Sequence, residues 1–389
     1  MCKQKLAKIL LTFFILVSFL TLFLMAHQSI DERVQDNSHL EYNTARIVDV
    51  ISDHTFFSDP DDPHFYGNPY DVRLGSIVYE IEVLRGTFAG LILEADYHMS
   101  SLADIHFEVG DRVSVRIFEF EGEINIVEIR HPERTEMLLA AIALFLIILS
   151  LIGGKRGILS VVGLVFSVIC VMFLLIPLVV AGYPVVLITL IILILIIVTS
   201  ITLLAGISTK GCCAILGSIS GILLAMLFSY IVGKMLHISG YNMANAGAIV
   251  HLSDGARVNG LFISSVLVAS IGAVMDSSMS VASALEEIKL ADSDISMSDL
   301  FKAGFNISRD VMGTMSNTLI LAFIGSSLSM MVFMYITNTS FNQFINNDFI
   351  TMEIIKGLSG SFGIILAAPL TAFISAKLLT IKKDNLPYD

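Results

Sequence analysis

The sequence predicts an α-helical polytopic membrane protein of about eight transmembrane helices, with a small extracytoplasmic β domain between helices 1 and 2. Composition is the first reason: of 389 residues, 55% are hydrophobic, only 15% are charged and Trp is absent, which is far from the usual make-up of a soluble chain. The second is the recurrence of uncharged apolar runs long enough to cross roughly 30 Å of hydrocarbon at about 1.5 Å per residue. The third is an acidic, alternating segment between the first two runs, whose period of two belongs to strands.

The elements follow in order. Residues 1–27 form an N-terminal membrane anchor: the apolar run from about Leu6 to Ala26 follows Lys3, Lys5 and Lys8, and Leu24-Met25-Ala26 makes a poor cleavage site, so an uncleaved helix is expected. Residues 28–136 hold 23 Asp or Glu against eight basic residues, a charge of −15 in a chain of −12, so the remainder is slightly basic at +3. Apolar and polar residues alternate in SIVYEIEVLRG, 76–86, and in DRVSVRIFEFEGEINIVEI, 111–129, and glycines 75, 86, 90, 110 and 122 stand near the breaks. These are hairpin signals, and about 90 residues suffice for a small barrel or sandwich of OB-like kind. Residues 137–380 form a seven-helix membrane domain with apolar runs near 137–153, 158–180, 185–206, 212–236, 259–285, 313–336 and 354–379, and 381–389 form a tail.

Basic residues in short loops set the orientation, because cytoplasmic loops retain Lys and Arg. With the N-terminus inside, the cytoplasmic side holds twelve (Lys3, Lys5, Lys8, Lys155, Arg156, Lys210, Lys289, Lys302, Arg309, Lys377, Lys382 and Lys383) and the short outer connections hold three, Lys234, Arg257 and Lys356. Both termini are therefore expected in the cytoplasm, with 28–136 outside, in the cell membrane.

Cys2, Cys170, Cys212 and Cys213 all lie outside the β domain, so no disulfide framework is expected there. Adjacent Cys212 and Cys213 lack the spacing of a zinc site, and the run Asp59-Pro60-Asp61-Asp62-Pro63-His64 lacks the alternating ligands of an EF-hand loop. No P-loop is present. No cofactor and no nucleic-acid partner is expected, and no metal is assigned.

One letter interrupts the stretch VASIGAVMDSSMSVASALEEI, 268–288: Asp276, deep in a predicted crossing. A charge there costs about 2.5–3.5 kcal/mol on insertion scales. At 100° per residue, Gly272, Asp276, Ser280, Ser283 and Glu287 fall within an arc of roughly 80°, a stripe expected to face protein or water. The next crossing repeats the pattern in NISRDVMGTMSNTLILAFIGSSL, 306–328, where Asp310, Thr314, Asn317, Thr318 and Gly325 share an arc of about 100°. Arg309 supplies a charge at its cytoplasmic end. Asn317 and Asp276 stand at comparable depth, so the two stripes predict a polar seam, with residues 286–308 as a surface connector. The plainer reading is interhelical glue, worth about 0.6 kcal/mol per bond on average. Gly217 with Gly221, and Gly357, Gly360 and Gly363, read as close helix packing. Pro369 reads as a helix break.

GAVMDSSMSVASALEEI and RDVMGTMSNTLILAFIGSSL, with GSFGIILAAPLT at 360–371, resemble the signature stretches of the YibE/F-like family of bacterial polytopic membrane proteins. The resemblance runs over most of residues 135–380; the outer segment shares only its placement and GDRV, 110–113. It implies a multispanning protein suspected of transport, with a shorter membrane-only relative as a partner, and recurrent polar positions at Asp276, Ser283, Glu287, Arg309, Asp310, Thr314, Asn317 and Thr318. Ser277 and Ser278 stand where small apolar residues are expected, which would make the site wetter.

Three functions compete on these residues. A secondary transporter or channel for an ion or small solute uses the seam around Asp276 and Asn317 and the break at Pro369. A membrane assembly or sensing protein uses the outer domain to bind a partner. An intramembrane protease is prompted by Gly357-Leu358-Ser359-Gly360, but no His follows that motif, so the enzyme reading is set aside. The lipid bilayer is the expected partner, with a homo-oligomer as the alternative to the shorter relative.

Overall fold

The computed structural model describes residues 18–25, 40–57, 73–99, 105–120, 123–252 and 257–381. The predicted anchor falls mostly outside the described residues, as do Cys2, Asp59 to His64 and Gly122. The chain divides into two compact units, Asp36–Ile148, and Met1–Gln35 with Leu149–Asp389.

Among the described residues the first unit is built on six strands, β1 (Leu40–Asp53), β2 (Phe56–Phe57), β3 (Arg73–Val83), β4 (Ile92–Met99), β5 (Arg112–Phe120) and β6 (Glu123–Pro132). Their order is β1-β5-β6-β4-β3-β2, and β1 also pairs with β3, so five strands close into a barrel while β2 lies outside the ring on β3. All pairings are antiparallel except β4 with β6, which meet in parallel at Asp96 and Glu128. A small closed ring joined this way is the OB-like arrangement, and closure leaves no long free edge. The alternation in the sequence explains the inside: Ile77, Tyr79, Ile81 and Val83 of β3, Val113, Val115 and Ile117 of β5, and Ala45 and Ile47 of β1 point inward. The loop residue Phe107 is buried in this core, its backbone bonded to the Tyr79 hydroxyl and its ring edge-on to Tyr97 at 5.0 Å.

Gly86 turns the chain after β3 at φ +88°, and a Cβ there would strike the side chains of Asn43 and Glu41. Glu41 is committed to this turn by accepting the Thr87 N–H at 2.9 Å. Gly86→Ala is therefore expected to lower barrel stability by about 1–3 kcal/mol, since a non-glycine residue pays the left-handed backbone and the contacts together. Thermal unfolding of the full chain followed by strand circular dichroism reads the loss, and an unchanged midpoint would contradict it.

Glu133 closes the end of the barrel where the strands give way to helix. It accepts the Thr135 N–H at 2.9 Å and the Thr44 hydroxyl at 3.2 Å. Bonds from Thr135, then from Thr44, and the charge of Arg85 hold its carboxyl below the ordinary value of 4.5. A depressed carboxyl contributes stability that is whole above about pH 4.5 and is lost as pH falls through the lowered native value. The stability difference between wild type and Glu133→Gln is expected to hold from pH 7 to about 5 and to shrink below 4.5, which acid titration of the unfolding midpoint measures.

The second unit is helical: α1 (18–25), α2 (Thr135–Cys170, whose first part belongs to the barrel unit), α3 (Ile176–Val180), α4 (Val185–Ala205), α5 (Thr209–Met235), α6 (Ala246–Leu252), α7 (Leu261–Ala291), α8 (Met297–Ser326), α9 (Leu328–Ile336), α10 (Phe341–Ile345) and α11 (Asp348–Ile381). Among the described residues, five helical stretches are long and apolar enough to cross a membrane, and six if the pair α8 and α9, bent by 55°, is one span. The 46-residue stretch Thr135–Val180 is counted there as one, yet helical geometry fails at Gly154 (φ 55°, ψ −136°). A Cβ on Gly157 would strike the carbonyl oxygen of Leu149, whereas a straight helix separates residues eight apart by about 12 Å. The chain bends sharply at the glycine pair, where the sequence divides two apolar runs. A π-helical turn, Val171–Leu175, interrupts the second of them.

Helix α11 packs along α5, α7 and α8, and α5 packs on α7. The predicted glycine contacts are there: Gly217 meets Thr371, Gly221 lies against Ala367, Val274 and the Gly363 carbonyl, and Gly360 lies against Leu319 and Ser270. Pro369 does not break α11, which runs on as helix to Ile381. A proline in a membrane helix removes one backbone donor, and tight neighbours tolerate the loss. The departures from straight helix lie instead at Gly154, at the π turn and at Ser327. The expected connector 286–308 is largely helical as well, since α7 continues to Ala291 and α8 starts at Met297. Only five residues join them, with Lys289 donating to the carbonyls of Ser293 and Ile295 and Ser296 capping α8 through the Asp299 N–H.

Candidate functional site

Helix α7 has two unlike faces. One is buried and carries Leu267, Ser270, Val274, Ser277, Ser278, Val281, Ala282 and Leu285. It is fastened by small contacts: Val274 to Gly221 of α5, Ser270 to Gly360 of α11, and the Thr189 hydroxyl of α4 to that of Ser264 at 2.9 Å. Asp276 lies two residues beyond Val274, roughly 200° around the helix, on the opposite face. Gly272, Asp276, Ser280 and Glu287 are exposed there and Ser283 is half-buried.

Ser277 and Ser278 do not wet this stripe. Both are fully buried on the packed face, Ser277 donates to the Ala273 carbonyl at 2.7 Å and the Ser278 hydroxyl has no partner among the described residues. Neighbours in sequence stand 100° apart on a helix, so adjacency to Asp276 placed them elsewhere.

Helix α8 is built the same way. Leu300, Gly304 and Ser308 are buried, Met315 and Leu319 pack on the core of the helical unit, and Gly304 sits between Leu285 of α7 and Ala372 of α11. Arg309, Asp310, Thr314, Asn317, Thr318 and Gly325 are exposed. Thr314 donates to the Asp310 and Val311 carbonyls and Thr318 to that of Thr314, which leaves their oxygens as acceptors on the outer face. The side chains of Asp276, Glu287, Asp310, Asn317 and Arg309 make no hydrogen bond or ion pair among the described residues. The helices that bear the two stripes are neighbours, and no hydrogen bond joins Asp276 to Asn317 or Thr318.

Over Gly272, Gly313 and Gly325 the space is open. These faces therefore combine unpaired carboxylates, hydroxyls and an amide with positions where another helix backbone can come close.

A family profile described as YibE/F-like protein matches residues 141–381, more than half of the chain. The chain belongs to the YibE/F-like family. No curated protein and no solved structure matches it. The matched residues of this YibE/F-like protein take in both polar stripes, most of α2 and every apolar helix after it.

Two charged contacts escaped the reading of the sequence. Lys210 at the start of α5 pairs with Glu286 near the end of α7 at 2.8 Å, both about three-quarters buried. Lys356 pairs with Glu353 at 2.6 Å within α11, with 16% and 12% of the side chains exposed, and Glu353 accepts the Ser326 hydroxyl at 3.2 Å, beside the bend between α8 and α9. The signal for the second was an acid and a base three apart in an apolar helix. Lys356 counted among the outer cations is in fact neutralised by its own helix. Among the described residues, no cluster of His, Cys, Asp and Glu is placed to hold a metal ion.

Proposed function

We propose that this YibE/F-like protein is a secondary transporter or channel for a cation or small polar solute, with the outer faces of α7 and α8 as one wall of its path. The observation that carries the reading is Asp276: a carboxylate in the middle of an apolar helix, turned away from its own chain's core and unpaired. Exposed to lipid it would cost about 2.5–3.5 kcal/mol on insertion scales, so water or protein must meet it. The open space at Gly272, Gly313 and Gly325 suits a second copy of the chain as the opposite wall, because small residues let membrane helices approach closely. Three carboxylates, Asp276, Glu287 and Asp310, against Arg309 favour a cation as cargo. The chain sits in the cell membrane with both termini in the cytoplasm and the barrel outside.

Ion flux into sealed vesicles containing the purified protein tests the reading, wild type against Asp276→Asn, with and without a pH gradient. Orientation has its own test. A cysteine placed at exposed Thr87 is expected to react with an impermeant maleimide in intact cells and one at exposed Asp292 only after lysis; the reverse pattern would invert the topology.

The OB-like barrel favours a second reading, a membrane-anchored binding protein, since closed five-stranded barrels of this kind present loops to ligands. That reading expects full function when Asp276 loses its charge and none when the barrel is removed.

A further inference from the structure

The barrel carries a cavity of about 270 Å³ at the end where it gives way to α2, lined by Thr44, Arg46, Arg85, Arg112, Glu133 and Glu136 with Leu84 and Thr135. Its arginines are out of keeping with their domain. Residues 28–136 carry −15, and three of their eight basic residues line this one hollow. Arg46 and Arg112 are direct cross-strand partners on β1 and β5, an arrangement of like charges that ordinarily destabilises a sheet. Arg112 is held by Glu136 at 2.6 Å. Arg46, although in register with Glu82 on its other side, forms no ion pair among the described residues, and neither does Arg85, whose charge acts on Glu133. Glu133 itself is committed to Thr44 and Thr135. Three guanidinium groups against two carboxylates leave one positive charge and two forks without a partner.

Guanidinium forks match phosphate oxygens two at a time. The volume lies just under the roughly 300–1,000 Å³ of pockets for drug-sized ligands, so it suits one compact group. Its level is set by the chain: Glu136 lines it, and Met137, Leu138 and Leu139, 84%, 60% and 58% exposed, open the apolar run of α2. A bilayer of about 40–45 Å with a core of about 30 Å has a headgroup layer of about 5–7.5 Å per side, and a hollow one residue before the apolar run falls in it.

We propose that this cavity binds a phosphate monoanion through Arg46, Arg85 and Arg112, supplied by the phosphodiester of an anionic lipid in the outer leaflet. The lipid source rests on the reading of α2 as a membrane span; the anion site does not, and neither rests on transport through α7 and α8. A headgroup there clamps the barrel at the membrane surface and supplies Arg46 and Arg85 with the partner that Glu136 gives Arg112.

The test uses the full chain in neutral detergent. Native mass spectrometry counts bound dioctanoyl phosphatidylglycerol, with dioctanoylglycerol as the phosphate-free control and calorimetric titration with inorganic phosphate as the soluble arm. Wild type and Arg130→Gln, whose arginine lies outside the cavity, are expected to retain one phosphatidylglycerol. Arg46→Gln with Arg85→Gln is expected to bind it at least tenfold more weakly, and Arg46→Lys with Arg85→Lys to recover part of the affinity. Unchanged strand circular dichroism shows that the barrel is folded in each. Equal lipid binding by wild type and the double Gln variant overturns the proposal, as does equal retention of dioctanoylglycerol. Binding of inorganic phosphate by wild type but not by the double Gln variant, without lipid retention, supports the anion site and overturns the lipid as its source.

Discussion

Asp276→Asn is expected to reach the membrane at wild-type abundance and to lose ion-coupled flux. Asn keeps the size and the hydrogen-bonding capacity of a protonated carboxyl but cannot exchange a proton or attract a cation. The side chain makes no contact that would hold the fold, being exposed and unpaired on the face of α7 opposite Val274 and Ser278. If Asp276 were only glue between helices, the pattern would invert: Asn would be tolerated in function, because interhelical hydrogen bonds in membranes are worth only about 0.6 kcal/mol on average, and Asp276→Leu would lower abundance. Flux in sealed vesicles at pH 6 to 8, normalised to protein, separates the two. Full flux from normally abundant Asp276→Asn would end the coupling role of that residue, whereas absence of flux from wild type itself would move the reading to the anchored binding protein.

Gly221→Ile should act on folding instead, and severely. The Gly221 Cβ position lies 2.5 Å from Ala367 Cβ, 2.9 Å from Val274 and 3.0 Å from the Gly363 carbonyl, so α5, α7 and α11 meet there with no room for a side chain. Backbone on one side and short side chains on the others cannot swing away. Overpacking a tight core typically costs 1–3 kcal/mol, and this site joins three helices, so a loss near or above about 3 kcal/mol is expected, with abundance falling several-fold. Gly247→Ile is the matched control, because open space surrounds Gly247 and its helix, α6, carries neither polar stripe. The readout is detergent-extracted monomer by fluorescence-detected size exclusion. Equal yields from Gly221→Ile and wild type would mean that the three helices do not meet as described.

The barrel was the most legible part of the molecule. A strand with one face in a core repeats every two residues, so Ile77, Tyr79, Ile81 and Val83 announce β3 and Val113, Val115 and Ile117 announce β5. Which strands meet was not legible, because β4 reaches β6 and β1 reaches β5 across long stretches of sequence. Juxtaposition of Arg46 with Arg112 exists only after that closure. Apolar runs likewise marked the helices, but α8 begins at Met297, well before its apolar stretch near 313, since polar opening turns carry no hydropathy signal. Pro369 misled because loss of one donor is judged against water, where a freed carbonyl ends a helix more readily than among packed helices.

By itself the sequence determined that this chain enters the membrane through several apolar helices, that an acidic β domain precedes most of them, that Gly217 and Gly221 pack closely and that Asp276 shares a stripe with Ser280 and Glu287, because each follows from local periodicity or spacing. Only the tertiary structure decided which way that stripe points. In water the polar face of a helix is the outer one, but lipid removes that contrast: helices associate through small and hydroxylated residues, and the buried face of α7 carries Ser264, Ser270, Ser277 and Ser278. With polar groups on both faces, the choice fell to shape, as Val274 fits the gap at Gly221, Ser270 the gap at Gly360 and Leu285 the gap at Gly304. Those fits turn Asp276 outward.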